Sequence, residues 1–430
     1  MKTVGIIAEF NPFHKGHEYL LRTLKEETGA DYAVIVMSGD YTQRGAPAIL
    51  DKYTRTKMAL MSGADLVFEL PIYYSTSSAE FFAGGAVSVL NNLGCIDYLG
   101  FGSESADLDS MKKVARVLAD EPEEFSARIK AYMKTGMNYA AARSNALSDS
   151  ASADGTDNIN LSLISTPNDI LGTEYIKALF LQNSSIKPYA IKRVGASYDD
   201  MGISPDAEYF SSAKAIRNIL ENCDLSSEDF SGALSQFPSD IKNYLESSYP
   251  DGNLKIISAD IFSELLHYKL INEKDYGFEK YLDVSPDLSD KITGKIPEYT
   301  SFSDFTALLK SKDLTYTRIS RALLHILLGM TTEKMSLYSP DRSAFTSYAR
   351  VLGFRKSASP LLKKIQECSR IPVISTLSDA YKTLDENAYS LLSETIAASN
   401  IYDLVRGISP INEYAKTPVI QPSCTDKHRD

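Results

Sequence analysis

Two of the five histidines in this 430-residue chain, His14 and His17, stand three residues apart near its start, in the segment Ala8-Glu9-Phe10-Asn11-Pro12-Phe13-His14-Lys15-Gly16-His17. They follow a short apolar run and open a helical pattern. At i, i+3 across a helix start, both imidazoles can face one side. The orphan amides and the dipole of such a start favour a phosphate. Gly16 lets backbone and phosphate approach closely, and Pro12 stiffens the turn. Two imidazole N–H donors beside an amide pocket suit the stabilisation of charge on an α-phosphate during in-line displacement, with no covalent step. Zinc is the competing use of such a pair, but no third and fourth ligands lie at useful spacing, so no metal site is expected.

The elements around the pair are those of an α/β domain. Residues 4–8, 33–37, 66–70 and 97–101 are apolar runs suited to buried strands, and residues 17–27, 55–61 and 79–93 have helical spacing. Strands alternating with helices predict parallel pairing and right-handed crossovers. The result is a doubly wound, Rossmann-like sheet with its ligand at the carboxyl ends of the strands. Residues 106–148 read as helical, 149–160 as a small polar loop, 169–182 as a helix, 189–193 as a late strand and 211–221 as a helix. Beyond residue 225 buried-strand runs thin out and helical patterns such as 320–328 take over. The expected division is a catalytic domain over 1–225, a mainly α-helical domain over 226–416 and a disordered tail over 417–430.

Hydrophobic residues make up 43% of the chain and charged residues 23%, an ordinary globular balance. No apolar run has the length of a membrane span, and the apolar start is too short for a signal peptide. The chain therefore reads as cytoplasmic, with no membrane partner. Cys95, Cys223, Cys368 and Cys424 form no CxxC pair, which argues against a zinc ribbon or redox motif and for isolated thiols. The net charge of −11 disfavours a polyanionic partner. Yet residues 310–364 hold eleven Lys or Arg against three acids. Such a block in an acidic chain suggests a confined polyanion-binding surface.

The histidine segment resembles the HxGH signature of nucleotidyltransferases, shared with class I aminoacyl-tRNA synthetases. Many members carry Asp before the proline, where this chain has Asn11. Further segments extend the likeness: 38–48 (SGDYTQRGAPA), 51–55 (DKYTR), 68–71 (FELP), 101–104 (FGSE), 167–172 (PNDILG), 191–193 (IKR), and Thr317-Arg318 with 325–329 (HILLG). Together they make nearly the whole chain similar to the bacterial tRNA(Met) cytidine acetate ligases. That resemblance implies ATP-driven activation of acetate to acetyl-adenylate with release of pyrophosphate. Transfer of the acetyl group to N4 of the wobble cytidine, C34, of elongator tRNA(Met) follows, without acetyl-CoA. Mg2+ would bridge the phosphates of ATP.

The resemblance also carries over site residues. His14 and His17 become the catalytic pair. The nucleotide site comprises Ile7, Ala8, Glu9, Phe10, Asn11, Pro12, Phe13, His14, Lys15, Gly16, His17, Glu18, Tyr19 and Leu20, with Gly102, Asn168 and Arg193. Asp40, Gln43 and Arg44 share a loop after the second strand and are candidates for acetate or cytidine. Residues 211–217 (SSAKAIR) resemble the second phosphate motif of nucleotidyltransferases, with Ser211 and Arg217 facing triphosphate and Ala213 in place of a Thr. The basic block favours RNA through phosphate contacts at Arg318, Arg321, Arg355 and Lys356, and Tyr316, Phe345, Tyr348 and Phe354 are candidates for base stacking. Residues 333–337 (EKMSL) resemble part of the synthetase KMSKS loop but lack its second lysine, so Lys334 counts with the basic block. The rival readings are a nucleotidyltransferase that makes a small-molecule cofactor, which leaves the helical half unexplained, and a non-catalytic tRNA-binding protein, which leaves both histidines unexplained. No protein partner is evident.

Overall fold

The first strand, β1 (Thr3–Ala8), is apolar on both faces, with Val4 and Ile6 in one core cluster and Ile7 in another. A strand of this kind belongs inside a parallel sheet. The computed structural model describes residues 1–137, 139–153, 163, 166–194, 210–222, 227–248, 255–409 and 411–422. The remaining strands are β2 (Tyr32–Ser38), β3 (Tyr41–Thr42), β4 (Ala46–Pro47), β5 (Leu66–Leu70), β6 (Tyr98–Ser103), β7 (Lys187–Lys192), β8 (Ala349–Arg355), β9 (Val373–Ile374) and β10 (Val419–Gln421). The main sheet runs β10-β8-β5-β2-β1-β6-β7, with β9 beside β8. From β5 to β7 all pairs are parallel, and β8 adds antiparallel to β5.

The chain winds outward from β1 through β2 to β5, then returns to the other side of β1 for β6 and β7. The strand order therefore reverses between β1 and β6, and the crevice at their carboxyl ends is the expected ligand position. Ile7 pairs with Val36 and Ile6 with Gly100. The turn after β1 and the end of β6 thus open into one crevice.

Four expectations change. The C-terminal region is mainly helical, but it also returns β8 and β10 to the sheet. β8 qualifies because Val351 and Leu352 enter opposite core clusters. The tail expected to be disordered instead pairs Val419, Ile420 and Gln421 with Gly353, Phe354 and Arg355, while 423–430 lie outside the described residues. The polar stretch expected as a loop over 149–160 continues the helix Tyr139–Ala153 in its first part, and 154–160 lie outside the described residues. The core also crosses the expected boundary at 225: Phe230, Phe237 and Ile241 pack in the cluster that holds Val4 and Ile6.

Candidate functional site

His14 is the N-cap of the helix Lys15–Thr28, in extended backbone geometry. Its Nδ1 accepts from Gly16 N at 3.0 Å, and His17 Nδ1 accepts from His14 N at 3.3 Å. The two imidazoles thus form the capping box that Ser and Glu usually supply. Both bonds use Nδ1 as acceptor, so in each neutral ring the proton sits on Nε2. The rings are held neutral. Burial, then the charges of Arg193 and Arg217, bring the His14 pKa down to about 3. Burial, then His14 and Arg193, hold His17 well below its ordinary value. The ring centroids are 3.9 Å apart. Phe10 and Phe13 pack their rings on His17. Gly16 is required locally, because a Cβ there would lie 2.8 Å from His14 Cε1.

A cavity lined by His14, Gly16, His17, Gly102, Arg193 and Ser211 brings together residues from four parts of the chain. Tyr19 and Leu20 also line it. Gly102 is the penultimate residue of β6, and a Cβ there would sit 3.3 Å from Arg193 Cγ. Arg193 follows β7, with its amide bonded to Ser103 O at 2.9 Å. Arg217 approaches from the helix Ala213–Asn222 and donates to Asn11 O at 2.6 Å. Asn11 Oδ1 accepts from Ile49 N at 2.9 Å and so braces the turn. Lys15 and Glu18 line the adjoining groove with Arg22 and Lys242. Ile7, Phe10, Asn11, Pro12 and Phe13 are buried beneath the site and support it.

Asn168 has a different setting. It is the second residue of the helix Pro167–Leu181, and its Nδ2 donates to Glu104 Oε1 at 2.6 Å. The neighbouring Asp169, which the sequence reading did not single out, is fully buried. It accepts from Glu104 N at 3.0 Å and from Ser103 Oγ, and so fixes the chain that leaves β6. A Pro followed by Asn-Asp at a helix start was the available signal.

The loop of Asp40, Gln43 and Arg44 crosses from the end of β2 toward the C-terminal region. Asp40 is buried, and its Oδ1 accepts from Lys52 N at 2.8 Å. Burial raises its pKa to about 6 against the pull of Lys52. Gln43 N donates to Glu9 Oε1 at 2.8 Å, which ties the loop to the end of β1. Neither Asp40, Gln43 nor Arg44 is among the residues lining the histidine cavity.

Beneath this loop lies a cluster of charges that the sequence did not reveal. Lys52 Nζ meets Glu69 at 2.7 Å and Glu413 at 2.6 Å. Arg350 meets the same two carboxylates at 2.6 and 2.7 Å. All four side chains are at most 4% exposed. Beside them the buried Arg55 donates to Glu9 O at 2.6 Å, Ser38 O at 3.1 Å, Leu50 O at 2.9 Å and Gly39 O. It thereby fixes the ends of β1 and β2 against one another.

The basic block divides on inspection. Arg350 belongs to the buried cluster. Arg342 binds Glu80 and Glu121, and Lys334 binds Glu394 at 2.5 Å. Arg321 binds Asp283 at 2.9 Å, and Arg355 donates to Leu60 O. Arg318 and Lys356 are exposed. Of the four aromatics, Tyr348 is buried, Phe345 packs edge-on to Tyr74 and Phe354 is packed on the core, whereas Tyr316 is 42% exposed. Residues 333–337 lie inside the helix Thr332–Tyr338 rather than in a loop.

Among the described residues, no helix is long and apolar enough to cross a membrane. A family model described as HIGH Nucleotidyl Transferase matches residues 1–416. The tRNA(Met) cytidine acetate ligase of Clostridium novyi is 38% identical over 418 residues, covering 96% of this chain and 99% of that protein. The protein of the same name from Clostridium perfringens is 37% identical over 425 residues, covering 98% of this chain and 100% of its own length. The crystal structure of Thermotoga maritima TmcAL bound with alpha-thio ATP is 28% identical and superposes with a TM-score of 0.89, covering 98% of this chain and 100% of that one.

Proposed function

The chain belongs to the HIGH nucleotidyl transferase family, among the tRNA(Met) cytidine acetate ligases, and from that premise we propose that it activates acetate with ATP and acetylates N4 of the wobble cytidine of elongator tRNA(Met). The observation that carries the chemistry is the pair of neutral imidazoles, each with Nδ1 occupied by a backbone amide and Nε2–H without a partner among the described residues.

An acetate oxygen attacks the α-phosphorus of ATP, the bond to the β-phosphate breaks, and pyrophosphate leaves. His14 and His17 donate through Nε2–H to the oxygens on which charge grows, from positions set before the reaction begins. Arg193, Ser211 and Arg217 hold the phosphates. A magnesium ion carried in with ATP would neutralise part of the phosphate charge; among the described residues no group of three or more His, Cys, Asp or Glu converges on a metal position. In the second step the cytidine N4 attacks the acetyl carbonyl. The N4–C bond forms, the C–O bond to the adenylate breaks, AMP leaves with the electron pair, and N4 loses a proton. The reaction takes place in the cytoplasm.

Purified protein incubated with ATP, labelled acetate and elongator tRNA(Met) tests the reading. The expected product is N4-acetylcytidine at the wobble position, with AMP and pyrophosphate formed in equal amounts. Acetylation supported only by acetyl-CoA would contradict it.

A further inference from the structure

The hairpin β3–β4 joins two regions that the proposed reaction uses in turn. It pairs Tyr41 with Pro47 and Thr42 with Ala46. On one side, Gln43 N is bonded to Glu9 Oε1, just past the end of β1. On the other, Ser320 Oγ donates to Gly45 O at 2.8 Å. Gly45 has φ +74° and lies against the helix Tyr316–Leu328 so closely that a Cβ there would overlap the backbone of Ser320 and Arg321. Gln43 and Gly45 are two positions apart, so at most about 7 Å of chain separates the residue tied to the end of β1 from the residue tied to that helix.

The helix itself is clamped. Arg321 is held by Asp283 at 2.9 Å. His325 is buried, with its ring nitrogens 3.0 Å from Leu282 O and 3.1 Å from Thr76 O. Meanwhile Tyr316 and Arg318, at the helix start, are exposed. RNA seated there meets a rigid rod, and the hairpin passes that position to the crevice with little slack. Transfer between two bound reactants is sensitive to such placement, where a misalignment of about 1 Å can cost about 10²-fold.

We infer that the β3–β4 hairpin is a positioning element for acetyl transfer, in which Ser320 and Gly45 hold the Glu9–Gln43 end in register with RNA bound at the start of the Tyr316–Leu328 helix. The inference rests on the function proposed above. Ser320 and Gly45 touch neither reactant and act through the hairpin.

The test is Ser320→Ala, with thermal stability checked and three quantities measured: tRNA affinity, acetate-dependent ATP–pyrophosphate exchange without tRNA, and single-turnover transfer from preformed acetyl-adenylate to tRNA. Affinity and exchange are expected to stay within about twofold, while transfer slows about tenfold. Gly45→Ala is expected to slow transfer further, and Ser320→Ala keeps the test open if that variant does not fold. Unchanged transfer in Ser320→Ala, or a parallel fall in exchange and transfer, overturns the inference. A wild-type protein inactive in both exchange and transfer overturns the functional reading and the inference with it, whereas an active wild type indistinguishable from Ser320→Ala overturns the inference alone.

Discussion

Two groups of buried polar side chains stand at the same carboxyl edge of the sheet. After β1 and β6, His14 and His17 spend one ring nitrogen each on the backbone, and the other meets no partner among the described residues. Arg193 lines the same cavity and remains exposed to solvent. Beside β2 and β5, Lys52, Glu69, Arg350 and Glu413 are each engaged by opposite charges at 2.6–2.7 Å and withdrawn from solvent. Under the proposed function a substrate completes the first group; the second is complete already within the chain. Burial alone does not separate a site from a framework, since His14 is buried as well. What separates them is whether the donors and acceptors have been used up within the chain.

Breaking the paired group should have the largest effect, and it should fall on stability. Arg350→Ala leaves Glu69 and Glu413 to share one cation out of solvent, a loss of about 3–5 kcal/mol. Urea unfolding measures it, and exchange activity per folded molecule should persist. Unchanged stability would mean that the cluster is not the framework it is taken to be.

The histidine group should instead reveal itself through pH. The folded chain refuses a proton at His14 down to about pH 3, whereas the unfolded chain accepts one near 6.5. Between those values the unfolded state binds more protons, so stability falls as pH drops through the window and is independent of His14 above it. The slope contributed is at most about 1.4 kcal/mol per pH unit. His14→Asn should flatten the urea midpoints measured between pH 7 and pH 5, and an unaltered slope would count against the buried neutral ring.

A smaller effect sharpens the same contrast within the basic block. Arg318→Glu should weaken tRNA binding and reduce its salt dependence by about one unit of log–log slope. Arg355→Ala, which removes donors to Leu60 O, should lower the melting temperature and leave the salt dependence alone. The reverse pattern would relocate the RNA surface.

Much of this contrast was legible in one half of the molecule and not in the other. The strands β1, β2, β5 and β6 read directly from apolar runs, because a doubly covered parallel strand needs little else. The histidine pair read from its place between a strand and a helix. β8 and β10 did not read as strands. β8 joins through pairing with β5, some 280 residues distant in sequence, and β10 is a three-residue edge whose partner is β8. The charged cluster was hidden for the same reason: Lys52, Glu69, Arg350 and Glu413 look like solvated charges until the sheet brings them together. The basic block misled in part because charge counts do not say which arginines have partners. Arg321 and Arg355 carry the same charge as Arg318, but their guanidiniums are committed within the chain.

The most direct measurement of the central claim is acetate-dependent ATP–pyrophosphate exchange without tRNA, compared among the wild type, His14→Ala, His17→Ala and Arg350→Ala. Each histidine variant should lose about 10²–10³-fold, as expected for removal of one preorganised donor to a developing charge, while remaining folded; His14→Ala also gives up a helix cap at about 1 kcal/mol. Arg350→Ala should retain the exchange of its folded fraction. Full exchange in both histidine variants, or loss of exchange in folded Arg350→Ala alone, would contradict the account.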